Sequence, residues 1–195
     1  MPVKREIPFD FGHFFITFTC YKWIPLIEMI NGYDLVYNWF DYLKSKGHHI
    51  TGYTVMPNHI YATIAFRKTA KSINKIIGDG KRFIGYEIIK RLQEKEMKTV
   101  LEQLSGAVKI SEKKRGKLHE VWEDSFDWKE CIGDDFTWQK IVYMHQNCCS
   151  GKWKLAEKAE EYFHSSAKFY LCGEHAAYPV LNYKQLDDID LSYPH

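Results

Sequence analysis

The sequence predicts an α+β domain built on one antiparallel sheet, and three observations carry that prediction. Short aromatic and β-branched segments of strand length alternate with longer segments whose apolar residues recur every three or four positions. Two of the strand-like segments are separated only by Pro57-Asn58, which favours a hairpin. With 195 residues, of which 45% are apolar, the chain is long enough for one domain with a sizeable core. We expect that core at about residues 10–150, followed by a packed C-terminal tail over residues 151–195.

The first four elements follow from local pattern. Residues 13–20 are aromatic and β-branched, which is typical of a buried strand. The apolar residues of Tyr33–Ser45 have helical spacing and end before a glycine, which predicts an amphipathic helix. His49–Met56 and His59–Phe66 are then expected to form the two strands of the hairpin.

The second half of the core predicts two more helices and one more strand. Thr69 or Ser72 can cap a long amphipathic helix that runs to about Lys98. Residues 105–118 are rich in lysine and glycine without periodicity, which favours a mobile loop. Residues 126–132 can form a strand. A last helix is expected after it, capped by one of two acidic residues, Asp134 or Asp135.

The order strand, helix, strand, strand, helix, strand, helix contains the split β-α-β arrangement of ferredoxin-like folds. We therefore expect an antiparallel sheet with its helices packed on one face. The sequence has no apolar run long enough to span a bilayer, and its first residues lack the apolar stretch of a signal peptide, so a cytoplasmic location is expected. The five cysteines form an odd set without Cys-x-x-Cys spacing, which indicates reduced thiols.

The start of the second hairpin strand carries the most informative residues. His59 and Tyr61 are two positions apart on a strand, so their side chains share one face of the sheet. The preceding Pro57 and Asn58 favour a turn, because proline fixes φ and asparagine tolerates left-handed backbone. One imidazole is thus expected at a rigid strand start, where it can meet a metal ion or a phosphate.

Residues 55–64 resemble the HUH strand of single-tyrosine transposases, especially the REP-associated tyrosine transposases, whose usual form is Met-Pro-Asn-His-hydrophobe-His. Three further segments are similar to family motifs in the same order, so that the resemblance spans roughly residues 10 to 170. Residues 121–126 resemble Val-Trp-Gln-x-x-Tyr/Phe, residues 143–147 resemble Tyr-Ile-x-x-Asn, and residues 162–167 resemble Tyr-x-x-Ser-Ser-Ala.

The resemblance implies a role for four positions of this sequence. Tyr143 would be the nucleophile, while His59 and Asn147 would be metal ligands. Helical geometry is compatible with this, since residues at i and i+4 share a helix face, and Gln146 at i+3 is an alternative ligand. Tyr61 stands where the family has its second histidine, and a neutral phenol, with a pKa near about 10, is a poor ligand. It is a neutral filler that leaves a weakened two-ligand site, a phenolate ligand, or the mark of a degenerate copy.

The resemblance further implies an enzyme that nicks and rejoins single-stranded hairpin DNA through a 5′-phosphotyrosine link and a free 3′-OH. Tyrosine suits this chemistry because the covalent link keeps the energy of the cut phosphodiester for rejoining. A site of imidazole, amide oxygen and water suits Mg²⁺ or Mn²⁺, which would neutralise charge on the scissile phosphate. The family resemblance is compatible with a monomer or a homodimer. The alternatives are an impaired descendant that binds hairpin DNA without cutting it, and a protein-interaction module that keeps only the fold.

The charge pattern is consistent with a polyanion partner. The net charge is only +2, but residues 67–98 carry ten Lys and Arg against four Asp and Glu, whereas the tail is acidic. This cluster is either the solvated face of a helix or a phosphate-binding surface with salt-dependent affinity. The candidate DNA-binding residues are Lys71, Lys75, Lys81, Arg82, Lys90 and Arg91.

Overall fold

A four-stranded antiparallel sheet forms the centre of the computed structural model, which describes residues 6–123, 126–151 and 153–193. The strands lie in the order β2-β3-β1-β4, and each neighbouring pair is antiparallel. Their bounds are β1 Gly12–Thr19, β2 His49–Met56, β3 His59–Phe66 and β4 Asp127–Glu130. The predicted hairpin strands are confirmed residue for residue. β1 is shifted by one residue from the predicted 13–20, and β4 is three residues shorter than the predicted 126–132.

The described residues also contain seven α-helices and several single turns of 3-10 helix. The helices are α1 Leu26–Met29, α2 Tyr33–Ser45, α3 Ile73–Glu94, α4 Lys98–Gly106, α5 Ile110–Lys113, α6 Asp134–Gln146 and α7 Ala167–Cys172. The order β1-α2-β2-β3-α3-β4-α6 confirms the α+β class and the ferredoxin-like split β-α-β arrangement. Among the described helices, none is long and apolar enough to cross a membrane. All five cysteines are free thiols.

The helices cover both faces of the sheet, which corrects the expectation that they pack on one face. Helices α2 and α3 bury their apolar stripes against one face, whereas α6 packs on the opposite face through Ile141 and Met144. The reason lies in the strands, because β2 and β3 are buried at nearly every position and so need a cover on each side.

Two features between α3 and β4 differ from the prediction: the end of the long helix and the loop expected after it. The long helix ends at Glu94, since Glu96 has a left-handed backbone (φ 53°) that stops it, and α4 begins separately at Lys98. Ser72, one of the two predicted caps, is the N-cap of α3 and accepts a hydrogen bond from the Lys75 amide. The expected loop over residues 105–118 contains the end of α4 and the whole of α5.

Helix α6 begins differently from the prediction. Its N-cap is Gly133, with φ 75°, so Asp134 and Asp135 lie inside the first turn instead of capping it. Carboxylates in the first turn are still favourable there, because the exposed amides at a helix N-terminus carry partial positive charge.

Gly52 allows α6 to approach the sheet closely. It lies at an irregularity in the β2–β3 register, and a Cβ at this position would overlap the Met144 side chain of α6 and lie 2.7 Å from Thr63 Oγ1. The tail then crosses the free edge of β2, where the amides of Val55 and Ser166 bond to the carbonyls of His164 and Tyr53, each at 2.9 Å. The candidate functional side chains lie on the face of the sheet that α6 covers.

Candidate active site

The sheet and α6 bring together the residues that the motifs singled out. His59 and Tyr61, the first and third residues of β3, project toward α6, and their rings meet edge to face with centroids 4.7 Å apart. Tyr143 of α6 packs edge to face against Tyr61 at 5.8 Å and against Phe15 of β1 at 6.1 Å. The predicted proximity of the strand face and the helix tyrosine is therefore present in the structure.

The His59 imidazole is held in one orientation by its chain neighbour. The Asn58 Nδ2 group donates to the Trp23 carbonyl oxygen at 3.0 Å, which turns Asn58 Oδ1 toward His59 Nδ1 at 2.7 Å. Because an amide oxygen only accepts, Nδ1 carries the hydrogen and Nε2 keeps its lone pair. Nε2 is buried and makes no hydrogen bond within the described residues. Burial lowers the pKa of His59 to about 4, so the ring is neutral at physiological pH.

Tyr61 is a hydrogen-bond donor in this site. Its hydroxyl donates to Asn147 Oδ1 at 3.4 Å, and its ring stacks on Phe15. Burial, together with the neighbouring Tyr143 hydroxyl, raises the pKa of Tyr61 above its ordinary value. A phenol that holds its proton so firmly disfavours the phenolate-ligand interpretation of this residue.

Tyr143 is the exposed tyrosine of the site. It is 50% exposed, because it lies between the strand residues and solvent. Asn147 Nδ2 donates to the Tyr143 carbonyl oxygen at 2.6 Å, so one amide group links the end of α6 to Tyr61. The Lys140 ammonium lies 5.8 Å from the centre of the Tyr143 ring, which places a positive charge beside it.

The two residues that precede Asn147 do not line the cleft at His59. His145 turns into the protein, where Nε2 lies 2.8 Å from Ser166 Oγ and burial lowers its pKa to about 3. Gln146 is exposed, and among the described residues it does not line the cleft at His59. Asn147 lines that cleft, so the structure favours Asn147 over Gln146 as the candidate amide ligand.

A cleft of ≈ 340 Å³ opens beside this group of residues. Its walls come from the β1–α1 loop, the start of β3 and the segment after α6, and they include Trp23, Asn58, His59, Asn147, Ser150 and Trp153. The cleft thus opens onto the imidazole and the amide that the resemblance implies as metal ligands.

The donor set fits a divalent cation in two of the three expected protein positions. His59 Nε2 has a free lone pair, and its Nδ1 hydrogen is already committed to a second residue, as is usual for a metal-binding histidine. Asn147 Oδ1 supplies the kind of oxygen that Mg²⁺ and Mn²⁺ accept. Tyr61 is a donor to that oxygen and does not fit as a ligand. In the described parts of the chain, no group of three or more His, Cys, Asp or Glu side chains is arranged to hold a metal ion.

Five of the six candidate DNA-binding residues lie on α3 and Lys71 precedes it, and four of the six form ion pairs. Lys71, Lys75 and Arg82 all pair with Asp79, at 3.3, 2.8 and 3.0 Å. Arg91 pairs with Asp34 through two hydrogen bonds of 2.7 and 2.5 Å.

A broad groove of ≈ 730 Å³ runs between α3 and residues 112–123 and is lined by Lys81, Arg82, Lys90 and Arg115, among others. The groove is connected to the cleft through Glu123. The Lys81 ammonium donates to the Glu123 carbonyl oxygen at 3.2 Å, and the Glu123 carboxylate accepts from the Lys22 amide at 2.8 Å. Lys22 immediately precedes Trp23 of the cleft wall. Hydrogen bonds through Glu123 therefore join a wall residue of the groove to the loop that carries Trp23 of the cleft.

Three residues of the site did not emerge from the sequence. Asn58 was recognised as a turn residue but not as the group that orients His59, although its position directly before the histidine was a usable signal. Trp23 and Lys140 reach the site only through tertiary structure, so no local pattern marks them. Asp124 and Ser125, which belong to the resembling segment 121–126, lie outside the described residues.

His59 of β3 and Tyr143 of α6 both contact the ring of Tyr61, so the strand histidine and the helix tyrosine that the motif resemblance singled out lie in one cluster. No family model matches this sequence, and no curated protein matches it significantly. The chain is similar to the solved structure of a REP-associated tyrosine transposase bound to a REP hairpin, with a TM-score of 0.62 and 11% sequence identity over 100% of this chain and 99% of that chain. A candidate transposase from Deinococcus radiodurans R1 has a TM-score of 0.42 and 12% identity over 75% of this chain and 97% of its own. The resemblance seen in the motifs is thus confirmed at the level of the fold.

Proposed function

We propose that this protein is a single-tyrosine transposase that nicks and rejoins single-stranded, hairpin-forming DNA. The observation that carries the proposal is the half-exposed Tyr143 side chain of α6. Its ring contacts Tyr61 beside His59, and its carbonyl accepts a hydrogen bond from Asn147, a wall residue of the open cleft. The motif order along the chain and the fold of the similar REP-associated transposase support the same function.

In the proposed reaction, the Tyr143 oxygen attacks the phosphorus of one phosphodiester and becomes bonded to the 5′ side of the break. The 3′ oxygen leaves and takes up a proton, and reversal of the step with a second 3′-OH rejoins the strand. Asn147 holds the helix turn that carries Tyr143, since its amide bonds to the Tyr143 carbonyl. Lys140 adds positive charge next to the ring, where the phosphate would lie.

We further propose that Mg²⁺ or Mn²⁺ is held by His59 Nε2 and Asn147 Oδ1, with water completing the coordination. When bound, such a cation polarises a phosphate and neutralises charge on its oxygens. Independently of the cation, the hydrogen bond to Asn58 keeps the proton of His59 on Nδ1, so that the Nε2 lone pair stays available.

The proposed substrate is a DNA hairpin with an unpaired extension. The similar solved structure is that of a protein bound to a REP hairpin, and we transfer only this substrate class. The groove beside α3 supplies ammonium and guanidinium groups for the phosphates of the paired stem, and the cleft at His59 and Asn147 would take the unpaired strand.

A panel of labelled hairpins, with 5′ tails, 3′ tails or no tail, tests the proposal in the presence and absence of Mn²⁺. We expect tailed hairpins to be nicked, and part of the label to stay on the protein after denaturation. Binding with no nicking at any Mn²⁺ concentration would contradict the proposal. It would favour the second candidate function, hairpin binding without cleavage, which the neutral phenol at position 61 supports.

The basic groove gives a separate prediction. Replacing Lys81 and Arg82 together by Ala should weaken binding to all hairpins alike and flatten the dependence of log affinity on log salt by roughly one to two. The double variant Lys44→Ala, Lys46→Ala removes the same charge from exposed positions of α2 and serves as the control. A slope that is equal in both double variants would return the α3 cluster to the solvated-face interpretation.

A further inference from the structure

The loop that leads into α1 holds two consecutive residues in a backbone conformation that side chains rarely adopt. Lys22 has φ 49° and Trp23 has φ 59°, and neither is a glycine. Left-handed backbone is unfavourable for residues with a side chain, so it persists only where surrounding contacts impose it. Here the Trp23 amide donates to the Cys20 carbonyl at 3.0 Å and the Lys22 amide donates to Glu123 at 2.8 Å.

The fixed loop displays a large apolar ring to solvent at the cleft. Trp23 is 59% exposed, and its ring makes an edge-to-face contact with His59, with centroids 5.5 Å apart. Exposed aromatic rings at the wall of a cleft are typical of binding sites, since burial of such a ring in the free protein would be favourable. A strained loop that exposes an indole therefore indicates a ligand with an aromatic face.

One amide group sets the position of this ring relative to the candidate catalytic residues. Asn58 donates to the Trp23 carbonyl and accepts from His59 Nδ1, so the indole loop and the imidazole are joined through a single side chain. The cleft between them, ≈ 340 Å³, has room for one nucleotide and is too small for a duplex. The ligand that enters this cleft must then be a single unpaired nucleotide of a strand.

We propose that Trp23 stacks on one unpaired base of the DNA and thereby positions the adjoining phosphate at His59 and Asn147, the cleft residues next to the Tyr61–Tyr143 pair. The inference rests on the proposed function and names the part of the substrate that the cleft recognises. Every base has a π-face, so stacking holds the unpaired strand without selecting its sequence. A held base also fixes the neighbouring phosphate in line for attack, which a flexible single strand does not do by itself.

Three DNA ligands test the stacking step by binding affinity at fixed salt. They are a hairpin with an unpaired tail, the same hairpin with an abasic site in place of the tail nucleotide next to the stem, and a blunt hairpin. Trp23→Ala should weaken binding of the tailed hairpin on the order of tenfold and leave the other two nearly unchanged. Trp23→Phe should recover most of the loss, because the ring remains. Tyr42→Ala, which removes an exposed ring from α2 on the other face of the sheet, is the control and should change none of the three.

The outcomes separate this inference from the proposed function. Equal loss on the tailed and abasic ligands, or no loss on the tailed hairpin, would overturn base stacking while leaving the nicking proposal to its own test. A selective loss with no covalent adduct in the wild-type protein would support stacking and contradict the proposed function. If the wild-type protein binds none of the three ligands, both are overturned.

Discussion

The two faces of the sheet differ in composition although they are built from alternate residues of the same strands. The face under α2 and α3 is apolar throughout, with Phe14, Ile16 and Phe18 of β1 fully or almost fully buried. The face under α6 mixes aromatic rings with His59 and with the hydroxyl of Tyr61, and it opens into a cleft. The first face stabilises the fold through apolar packing. The second face carries polar, potentially reactive groups in place of part of that packing.

The contrast is sharpest between direct neighbours on β3. Ile60 points into the large core and is completely buried, whereas His59 and Tyr61 point to the α6 side. Because a strand alternates its side chains, one substitution at Ile60 and one at Tyr61 probe different faces at almost the same place in the chain.

The largest expected effect is on the apolar face. Ile60→Ala should lower the free energy of unfolding by about 2–5 kcal/mol, since it removes buried methyl groups and leaves a cavity. Tyr61→Phe keeps the ring and loses only a long hydrogen bond, so it should cost about 1 kcal/mol or less. Urea unfolding of both variants measures the difference, and similar losses for the two would refute the division between the faces.

The second prediction concerns the closest approach of α6 to the sheet. Gly52→Ala should destabilise the protein by about 1–3 kcal/mol and reduce any nicking, because the new methyl group displaces Met144 and with it the helix of Tyr143. Gly78→Ala is the matched control: its Cβ meets nothing within 4 Å, and it should stabilise α3 by about 0.5–1 kcal/mol. If Gly52→Ala unfolds at the same urea concentration as wild type, α6 does not lie where the structure places it.

A smaller effect is expected at Tyr61. Tyr61→His places a second imidazole two residues from His59 on the same strand face, and with Asn147 it makes three candidate donors. Mn²⁺ binding measured by calorimetry should tighten by about tenfold or more, and nicking of the hairpin panel should rise with it. Tyr61→Phe, which has no donor atom, is the control. A His variant that binds Mn²⁺ no better than the Phe variant would show that His59 and Asn147 do not form a metal site.

Local pattern predicted the elements whose boundaries are set by short-range chemistry. The hairpin was predictable because alternation runs to both sides of Pro57-Asn58, and α2 because its apolar stripe ends at a glycine. The end of α3 was not predictable, since it depends on a left-handed backbone at Glu96, a residue with no preference for that conformation. The close approach of α6 to the sheet could not be predicted, since it depends on the absence of a side chain at Gly52, where a Cβ would overlap Met144.

The candidate site divides in the same way. Tyr143 and Asn147 are one helical turn apart, so their relation could be read from spacing alone. Trp23 and Asn58 are 35 residues apart, and their hydrogen bond exists only because the β1–α1 loop folds over the start of β3. Groups that orient a catalytic residue from another element leave no periodic signal in the sequence.

The central claim is that Tyr143, and not its neighbour Tyr61, bonds to DNA. Incubation of a tailed hairpin with wild type, Tyr143→Phe and Tyr61→Phe, followed by denaturation, digestion and mass spectrometry, identifies the residue that carries the nucleotide. We expect the adduct on the peptide containing Tyr143 in wild type and in Tyr61→Phe, and its complete loss in Tyr143→Phe with hairpin affinity nearly unchanged, because the ring still packs against Phe15. An adduct on Tyr61, or one that persists in Tyr143→Phe, would contradict the account.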